Sequence, residues 1–225
     1  MNGTDTYREW AAPAEWSATV ACRWSQAVGT DRRHRVVPDG CADIIVGFGR
    51  PIAVGLADEV AVHDLTAGSS CQAIRLRPEA VSSVLGVPGA ELRNRSVPLD
   101  DVVGTARARH LVDVVLGGAP DERLATIPDR RLRAALDLLG HTSVDGAAHE
   151  LGLSGRQLRR LVTTEVGLGP KTYQRVVRLQ RFLADDAPLA VAAASAGYAD
   201  QPHLTREVSR LCGLPPAALL AERAS

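Results

Sequence analysis

The sequence lacks the cysteine patterns of a disulfide-stabilised or metal-binding protein. Its four cysteines are scattered along 225 residues: Cys22, Cys41, Cys71 and Cys212. No C-x-x-C pair occurs, and no cysteine lies at metal-ligand spacing from a histidine. A protein of this length can build its own core, so we expect reduced thiols and neither a metal nor a cofactor.

Long apolar runs and an excess of charge are also missing. No apolar run approaches 18 residues, and the first ten residues, MNGTDTYREW, do not join a basic segment to an apolar one. The sequence therefore predicts no membrane span, no signal peptide and a cytoplasmic location. With 26 basic and 26 acidic residues, the net charge alone does not indicate a nucleic-acid or membrane partner.

Basic charge is nevertheless concentrated in one segment. Between Ser154 and Arg181 the only acid is Glu165, and there are seven basic residues: Arg156, Arg159, Arg160, Lys171, Arg175, Arg178 and Arg181. Such a local cluster indicates a surface for an anionic partner.

The first half of the sequence alternates apolar and polar residues, as half-buried strands do. The clearest case is EWSATVACRW, residues 15–24, and the runs 41–46, 59–65 and 71–76 follow between turn-forming residues. Several short strands predict a small β-rich domain, barrel-like (cupin-like) or sandwich-like. A short helix is expected after Pro78, and an amphipathic helix over 99–116.

The second half has helical periodicity and the residues that begin and end helices. Ser143, Ser154 and Asp200 are expected N-caps, and Gly167 and Gly213 expected C-caps. The pattern predicts about seven helices, the longest from Pro170 to about Asp185. We therefore expect an α+β protein with two domains: a β-rich sensor or dimerisation domain over 1–117, a linker over 118–128, and an all-α domain over 129–225.

A local pattern occurs twice in the helical half, 46 residues apart. Leu158 corresponds to Leu204, and Arg160 to Arg206, and Gly167-Leu168 corresponds to Gly213-Leu214. Each copy predicts a short helix, a turn and a capped helix, which is the helix-turn-helix arrangement. A helical solenoid is the structural alternative, but solenoids need about three or more copies.

The second helix of each copy carries residues suited to DNA. Opposite the apolar stripe lie side chains that bind base edges or phosphates: Arg156, Gln157, Arg159 and Arg160 in the first copy, and Gln201, His203, Thr205 and Arg206 in the second. Arginines on a helix can also be merely a solvated face. Because equivalent polar faces occur twice, we favour double-stranded DNA as the partner.

These residues resemble a known family. The stretches HELGLSGRQLRRLVTTEVGLGP (149–170) and AASAGYADQPHLTREVSRLCGLPP (193–216) are similar to the tandem helix-turn-helix domain of AraC/XylS-type bacterial transcription regulators. The resemblance implies DNA contacts from Arg156, Arg159, Arg160, Gln201, Thr205 and Arg206. The chain departs from the family at Val208, where an aromatic is usual, and at Pro202, where a small polar residue or glutamine is common.

The N-terminal half resembles, less specifically, the poorly characterised sensor domain of some AraC-type proteins. The matching stretches are 37–46, 75–92 and 96–104. The whole chain is thus expected to be a one-component, sequence-specific transcription regulator without catalytic activity. A small-molecule effector for the N-terminal domain and a homodimer are further expectations, with RNA polymerase a partner if the protein is an activator.

A second hypothesis concerns chemistry in the N-terminal half. Asp39, Cys41 and Asp43 surround a turn, with His34 and His63 as potential partners, which would suit a thiol-dependent enzyme or alkyl-group sensor fused to a DNA-binding domain. The alternative is a Pro-Asp-Gly turn leading into a buried strand, where cysteine is a small hydrophobic residue. Arg75 and Arg77 share a strand face, which would suit either an acidic effector or a solvated edge.

Overall fold

The computed structural model describes residues 4–117 and 119–224, and it has a β-rich N-terminal domain and a helical C-terminal domain. In the described residues there are eight strands: β1 (Thr6–Trp10), β2 (Val20–Ala27), β3 (Arg32–Val36), β4 (Ala42–Gly47), β5 (Gly49–Val54), β6 (Ala61–Leu65), β7 (Ser70–Leu76) and β8 (Ser96–Pro98). Six form an antiparallel sheet in the order β1-β2-β7-β4-β5-β8, while β3 pairs with β6 separately. The predicted α+β class is confirmed.

The predicted barrel-like closure is wrong. A barrel requires the first and last strands of the sheet to pair, but within the described residues β1 pairs only with β2, and β8 only with β5. The sheet is therefore open, and one of its faces is covered by helices. The side chains of Ile44, Ile74 and Leu76 on that face are fully buried.

The helices of the N-terminal domain follow the last long strand. They are α1 (Val81–Leu85), α2 (Gly89–Leu92), α3 (Leu99–Val103) and α4 (Thr105–Val115), and short 3-10 helices occupy Ala14–Trp16 and Pro78–Ala80. The single helix predicted over 99–116 is interrupted at Gly104, whose φ is 78° and ψ 157°. Glycine adopts this conformation without steric cost, so the chain changes direction there.

Described residues of the predicted linker, 119–128, pack onto the N-terminal domain; Gly118 lies outside the described residues. Leu124 is fully buried, and its carbonyl oxygen accepts a hydrogen bond from Thr19 Oγ1. The buried Asp121 carboxylate forms an ion pair with Arg107, and His110 Nε2 lies 3.0 Å from one of its oxygens. This segment is consequently a packed connection between the domains.

The C-terminal domain has the predicted seven helices in its described residues. They are α5 (Arg130–His141), α6 (Val144–Glu150), α7 (Gly155–Val166), α8 (Pro170–Leu183), α9 (Leu189–Ser195), α10 (Gln201–Cys212) and α11 (Pro216–Ala224). The side chains of Ser143, Ser154 and Asp200 accept the predicted capping hydrogen bonds. Among these helices, as in the rest of the described chain, none has the length and apolar character of a membrane span.

The two larger of the three hydrophobic cores in the described residues lie one after the other along the chain. The first runs from the sheet through α1–α4 into α5, α6, α7 and the first half of α8, as far as Val176. The second begins at Leu179 and Phe182 in the same helix and includes α9, α10 and α11. The larger core therefore joins the N-terminal domain to the first helix-turn-helix motif.

Candidate nucleic-acid interface

Two helix-turn-helix motifs are present, α6–α7 and α9–α10. The second helices of the motifs, α7 and α10, both have twelve residues and begin and end 46 residues apart. Their buried residues occupy equivalent positions: Leu158, Val162 and Val166 in α7, and Leu204, Val208 and Cys212 in α10, all fully buried. The sequence repeat is thus a structural repeat with the same face turned inward.

The outer face of α7 carries three exposed arginines, Arg156, Arg159 and Arg160. Within the described residues none of their guanidinium groups has an ion-pair or hydrogen-bond partner. Gln157 differs, because its Oε1 accepts hydrogen bonds from Ser154 N and Ser154 Oγ, both at 2.8 Å, in a capping box. Gln157 therefore stabilises the start of the helix that presents the arginines.

On α10, Gln201 and Arg206 are exposed, whereas the other two candidates are half-buried and make local contacts. His203 Nδ1 lies 3.2 Å from Ala199 N, and the imidazole packs edge-on against the Tyr198 ring. Thr205 Oγ1 donates to Gln201 O at 2.9 Å. The structure thus leaves five of the eight predicted side chains, Arg156, Arg159, Arg160, Gln201 and Arg206, extending from the two helices.

A basic groove of about 600 Å³ lies beside α7. It is lined by Ser143, Val144, Asp145, Gly155, Arg156, Arg159, Lys171 and Gln174. Lys171, the only lysine of the chain, stands at the start of α8 because Pro170 opens that helix. Two guanidinium groups and an ammonium group around one groove suit a phosphate.

The second motif has no equivalent groove charges. The positions that correspond to Arg156, Arg159 and Lys171 are occupied by Pro202, Thr205 and Ala217. The two motifs are therefore alike in fold and unlike in charge, with most of the exposed basic charge on the first.

Three basic residues of the cluster belong to the connection between the motifs. On α8, Arg175 Nε pairs with Glu207 of α10 at 3.2 Å, and the Arg178 guanidinium lies 5.5 Å from the centre of the Tyr198 ring. Arg181 Nη2 lies 3.3 Å from His141 Nδ1. These residues attach α8 to its neighbours on both sides.

Cys41 of the N-terminal domain is not in the environment of an activated nucleophile. Burial, together with the neighbouring carboxylate of Asp39, raises the pKa of its thiol well above the ordinary value. A nucleophilic cysteine needs the opposite shift, because the thiolate is the reactive form. His34 faces His63 across strands β3 and β6, and no group of three or more potential metal ligands occurs in the described residues.

Arg75 is already surrounded by carboxylates. Its guanidinium approaches Asp39 and Asp43 at 3.3 Å each and Glu9 at 3.2 Å. Burial raises the pKa of Asp43 to about 6, although the charge of Arg75 opposes this shift. Arg77 Nε donates to Ser17 O at 3.0 Å. These partners disfavour an acidic effector at the two arginines.

Comparison with known proteins finds two family models that match separate segments of the chain. Residues 147–222 match a helix-turn-helix domain family, and residues 8–98 match a domain of unknown function (DUF6597). No curated protein gives a match.

Solved structures of ToxT from Vibrio cholerae are among the structures similar to this chain. One has 9% identity over 87% of this chain and 91% of that chain, with a TM-score of 0.44; another has 11% identity over 87% and 90%, with a TM-score of 0.43. The repeated motifs, their caps and the family match together identify residues 147–222 as an AraC-type helix-turn-helix domain.

Proposed function

We propose that the protein is a one-component regulator that recognises a specific promoter sequence by inserting α7 and α10 into successive segments of one major groove. The observation that carries this proposal is the equivalence of the two helices, which share length, buried positions and capped ends at a constant offset of 46 residues. In a helix-turn-helix protein the N-terminal part of such a helix reaches the base edges.

The exposed side chains have different roles in this proposal. Arg156, Arg159 and Arg160 of α7, with Gln201 and Arg206 of α10, contact base edges, since arginine suits guanine and glutamine suits adenine. Lys171 contacts phosphate, which contributes affinity without sequence preference. Gln157, His203 and Thr205 position the helices through their local hydrogen bonds and reach DNA only as secondary contacts.

The N-terminal domain is proposed to receive the signal. Its packing against the first motif, through one continuous core, gives an effector or a second copy of the chain a route to the DNA-binding helices. Mapping the bound sites across the genome of the native host would identify the regulated genes, whose products would indicate the chemical class of the effector.

The test is selection of binding sequences from random DNA by the purified full-length protein. We expect enrichment of a two-part motif by the wild type, and loss of base preference at one position in each part in the double variant Arg160→Ala/Arg206→Ala. Arg109→Ala removes one exposed charge from α4 and serves as the control. Enrichment of no sequence by the wild type, or of the same two-part motif by the double variant, would contradict the proposal.

A further inference from the structure

The N-terminal domain touches both recognition helices at the same place, their C-terminal ends. Gly167 and Gly213 follow α7 and α10 at equivalent positions of the repeat, with φ values of 87° and 70°. Each glycine also lies against a different part of the N-terminal domain. The two contacts involve different elements of the N-terminal domain, because the end of α7 meets α1 and α2 and the end of α10 meets Arg35 of β3 and Val60.

At the end of α7 the contact is between main chains. A Cβ atom on Gly89 of α2 would lie 2.4 Å from Glu165 O, and one on Gly167 would lie 2.7 Å from Gly89 O. Ser82 Oγ of α1 donates to the same Glu165 oxygen at 3.3 Å. Two glycines therefore allow an approach that no other residue pair permits, and one side-chain hydrogen bond fixes it.

At the end of α10 the contact is made by an arginine. Arg35 of β3 donates from Nη1 to Cys212 O at 3.0 Å, and from Nε to Glu222 of α11 at 2.9 Å. A Cβ atom built on Gly213 would lie 3.4 Å from Val60 Cγ1 and 3.5 Å from Arg35 Nη1. Arg35 thus binds the last turn of α10 and a side chain of α11. A cation at the C-terminal end of a helix is favourable because it faces the negative end of the helix dipole.

A third contact holds the helix between the motifs. Gln180 Nε2 of α8 donates to Pro38 O at 2.7 Å, in the loop that follows β3. The loop residue Gly40 lies against Val176 of the same helix. The N-terminal domain accordingly contacts the end of α7, the end of α10 and the helix α8 between the motifs.

We propose that Arg35 and Ser82 are positioning residues, through which the N-terminal domain sets the separation and relative rotation of α7 and α10. Successive base pairs are about 3.4 Å apart along the duplex axis, so a small movement of one helix changes the spacing of the two DNA segments that the protein accepts. The inference rests on the proposed function. In it, the N-terminal domain determines the spacing between the two DNA segments that the protein accepts, and the exposed side chains of α7 and α10 determine which bases are read.

The direct test measures the separation of the helices without DNA. Spin labels are attached through Thr164→Cys and Arg210→Cys, exposed positions 46 residues apart in the last turns of α7 and α10, in a background with Cys22→Ser and Cys41→Ala. Pulsed electron resonance then gives the distance distribution. We expect a narrow distribution in the unaltered background and a broader or shifted one with Arg35→Ala.

The matched control is Arg33→Ala. Arg33 lies on the same strand, is largely exposed and pairs only loosely with Asp64, at 3.9 Å. Arg33→Ala removes the same charge as Arg35→Ala but does not change a contact with α10. Its distance distribution should therefore equal that of the background. At the other helix, Ser82→Ala is compared with Ser83→Ala, since Ser83 Oγ donates only to Ala80 O of its own segment. The serine pair carries the comparison even if Arg35→Ala fails to fold.

A second arm uses DNA selected by the wild type, with zero or one base pair added between the two parts of the site. The added pair should weaken wild-type binding strongly and weaken Arg35→Ala binding less. Equal distance distributions for each variant and its control would overturn the inference, whatever happens with DNA. If the wild type bound no DNA, the proposed function would be overturned. The spin-label comparison would still decide whether Arg35 and Ser82 position the helices.

Discussion

At the scale of single residues, Arg160 and Arg206, which occupy equivalent positions of the repeat, give the clearest test of DNA base recognition. If each contacts a base, Arg160→Ala and Arg206→Ala should each cost about 1–3 kcal/mol of binding free energy and relax preference at one position of the site. Binding measured against a panel of single-base variants of the selected site reports both effects.

Lys171→Ala is expected to behave differently. A phosphate contact carries no sequence information, so the loss of affinity should be even across the panel and the salt dependence of binding should become less steep. Sequence preference controlled by Lys171, with both arginine variants silent, would mean that the wrong face of the domain has been placed on DNA.

The buried ion pair of Asp121 makes a prediction about stability and pH. Desolvation raises the pKa of this carboxyl, but hydrogen bonds from Arg107 and from Leu124 N outweigh it and leave the pKa below the ordinary value. A carboxyl with a lowered pKa stabilises the fold above its unfolded-state pKa, and that contribution is lost as the pH falls through the folded-state value. Asp121→Asn should therefore cost about 3 kcal/mol near neutral pH.

Urea unfolding at several pH values measures this cost. The difference between wild type and Asp121→Asn should shrink below about pH 4, where the carboxyl of the unfolded chain is itself protonated. Asp113→Asn, an exposed change on the same helix as Arg107, is the control and should have little effect. A constant difference down to strongly acidic pH would show that the ion pair is not the cause.

Residue-level predictions from the sequence were most accurate where the cause is local. The caps at Ser143, Ser154 and Asp200 each depend on a side chain and the amide three residues further along, and all three are confirmed. Partners distant in sequence gave no such signal: nothing near Arg35 indicates that it binds Cys212 O. For the same reason the partners of Arg75, brought together by three strands, could not be read from the chain.

At the scale of elements, the turn of the second motif depends on Gly197. Its φ is 86°, and a Cβ atom built there would have no neighbour within 4 Å, so the requirement is for backbone conformation and not for space. Gly197→Val should destabilise the protein by about 1–3 kcal/mol and weaken operator binding. Gly197→Asn should cost less, because asparagine tolerates this region of φ.

Thermal unfolding and operator affinity of the two variants check this turn. Equal effects of valine and asparagine would mean that side-chain volume, and not φ, limits the position. No change in either property with valine would contradict the turn itself.

Element types were easier to predict than the way elements join. Helical periodicity gave all seven helices of the C-terminal domain, because each buries one apolar stripe. The strands β1, β3, β5 and β8 were missed. β1 is exposed at every residue, β3 is almost entirely basic, and β5 begins with Gly49-Arg50-Pro51, residues that predicted a turn. The closure of the sheet was predicted wrongly because pairing between distant strands leaves no local pattern.

At the scale of the whole molecule, the length of α8 limits how far apart the two motifs can lie. Its fourteen residues span about 21 Å at 1.5 Å per residue, and with the widths of the flanking helices the separation approaches the ~34 Å between successive turns of the groove. Adding about five base pairs between the two contacted DNA segments moves one of them to the opposite side of the duplex. Binding should then fall to that of one motif.

Adding a full helical turn of DNA returns the two segments to the same side of the duplex but leaves them too far apart for both motifs. This insertion should therefore not restore binding. Gel-shift titration of the three DNA duplexes measures the effect. Because the first motif carries the groove arginines and Lys171, the binding that remains should be that of α7, and it should be sensitive to salt. Affinity that survives the five-pair insertion would mean that only one helix reads DNA, or that α8 bends.

The two hydrophobic cores meet within α8, between Val176 and Leu179, and this divides the chain differently from its sequence domains. Regions that share a core tend to open together in amide hydrogen exchange. The sheet, α1–α7 and the first half of α8 should therefore exchange as one cooperative unit, and α9–α11 with the second half of α8 as another. A fragment starting at residue 129 would keep the second unit whole but divide the first, so we expect its amide exchange to differ from that of the same residues in the full-length protein.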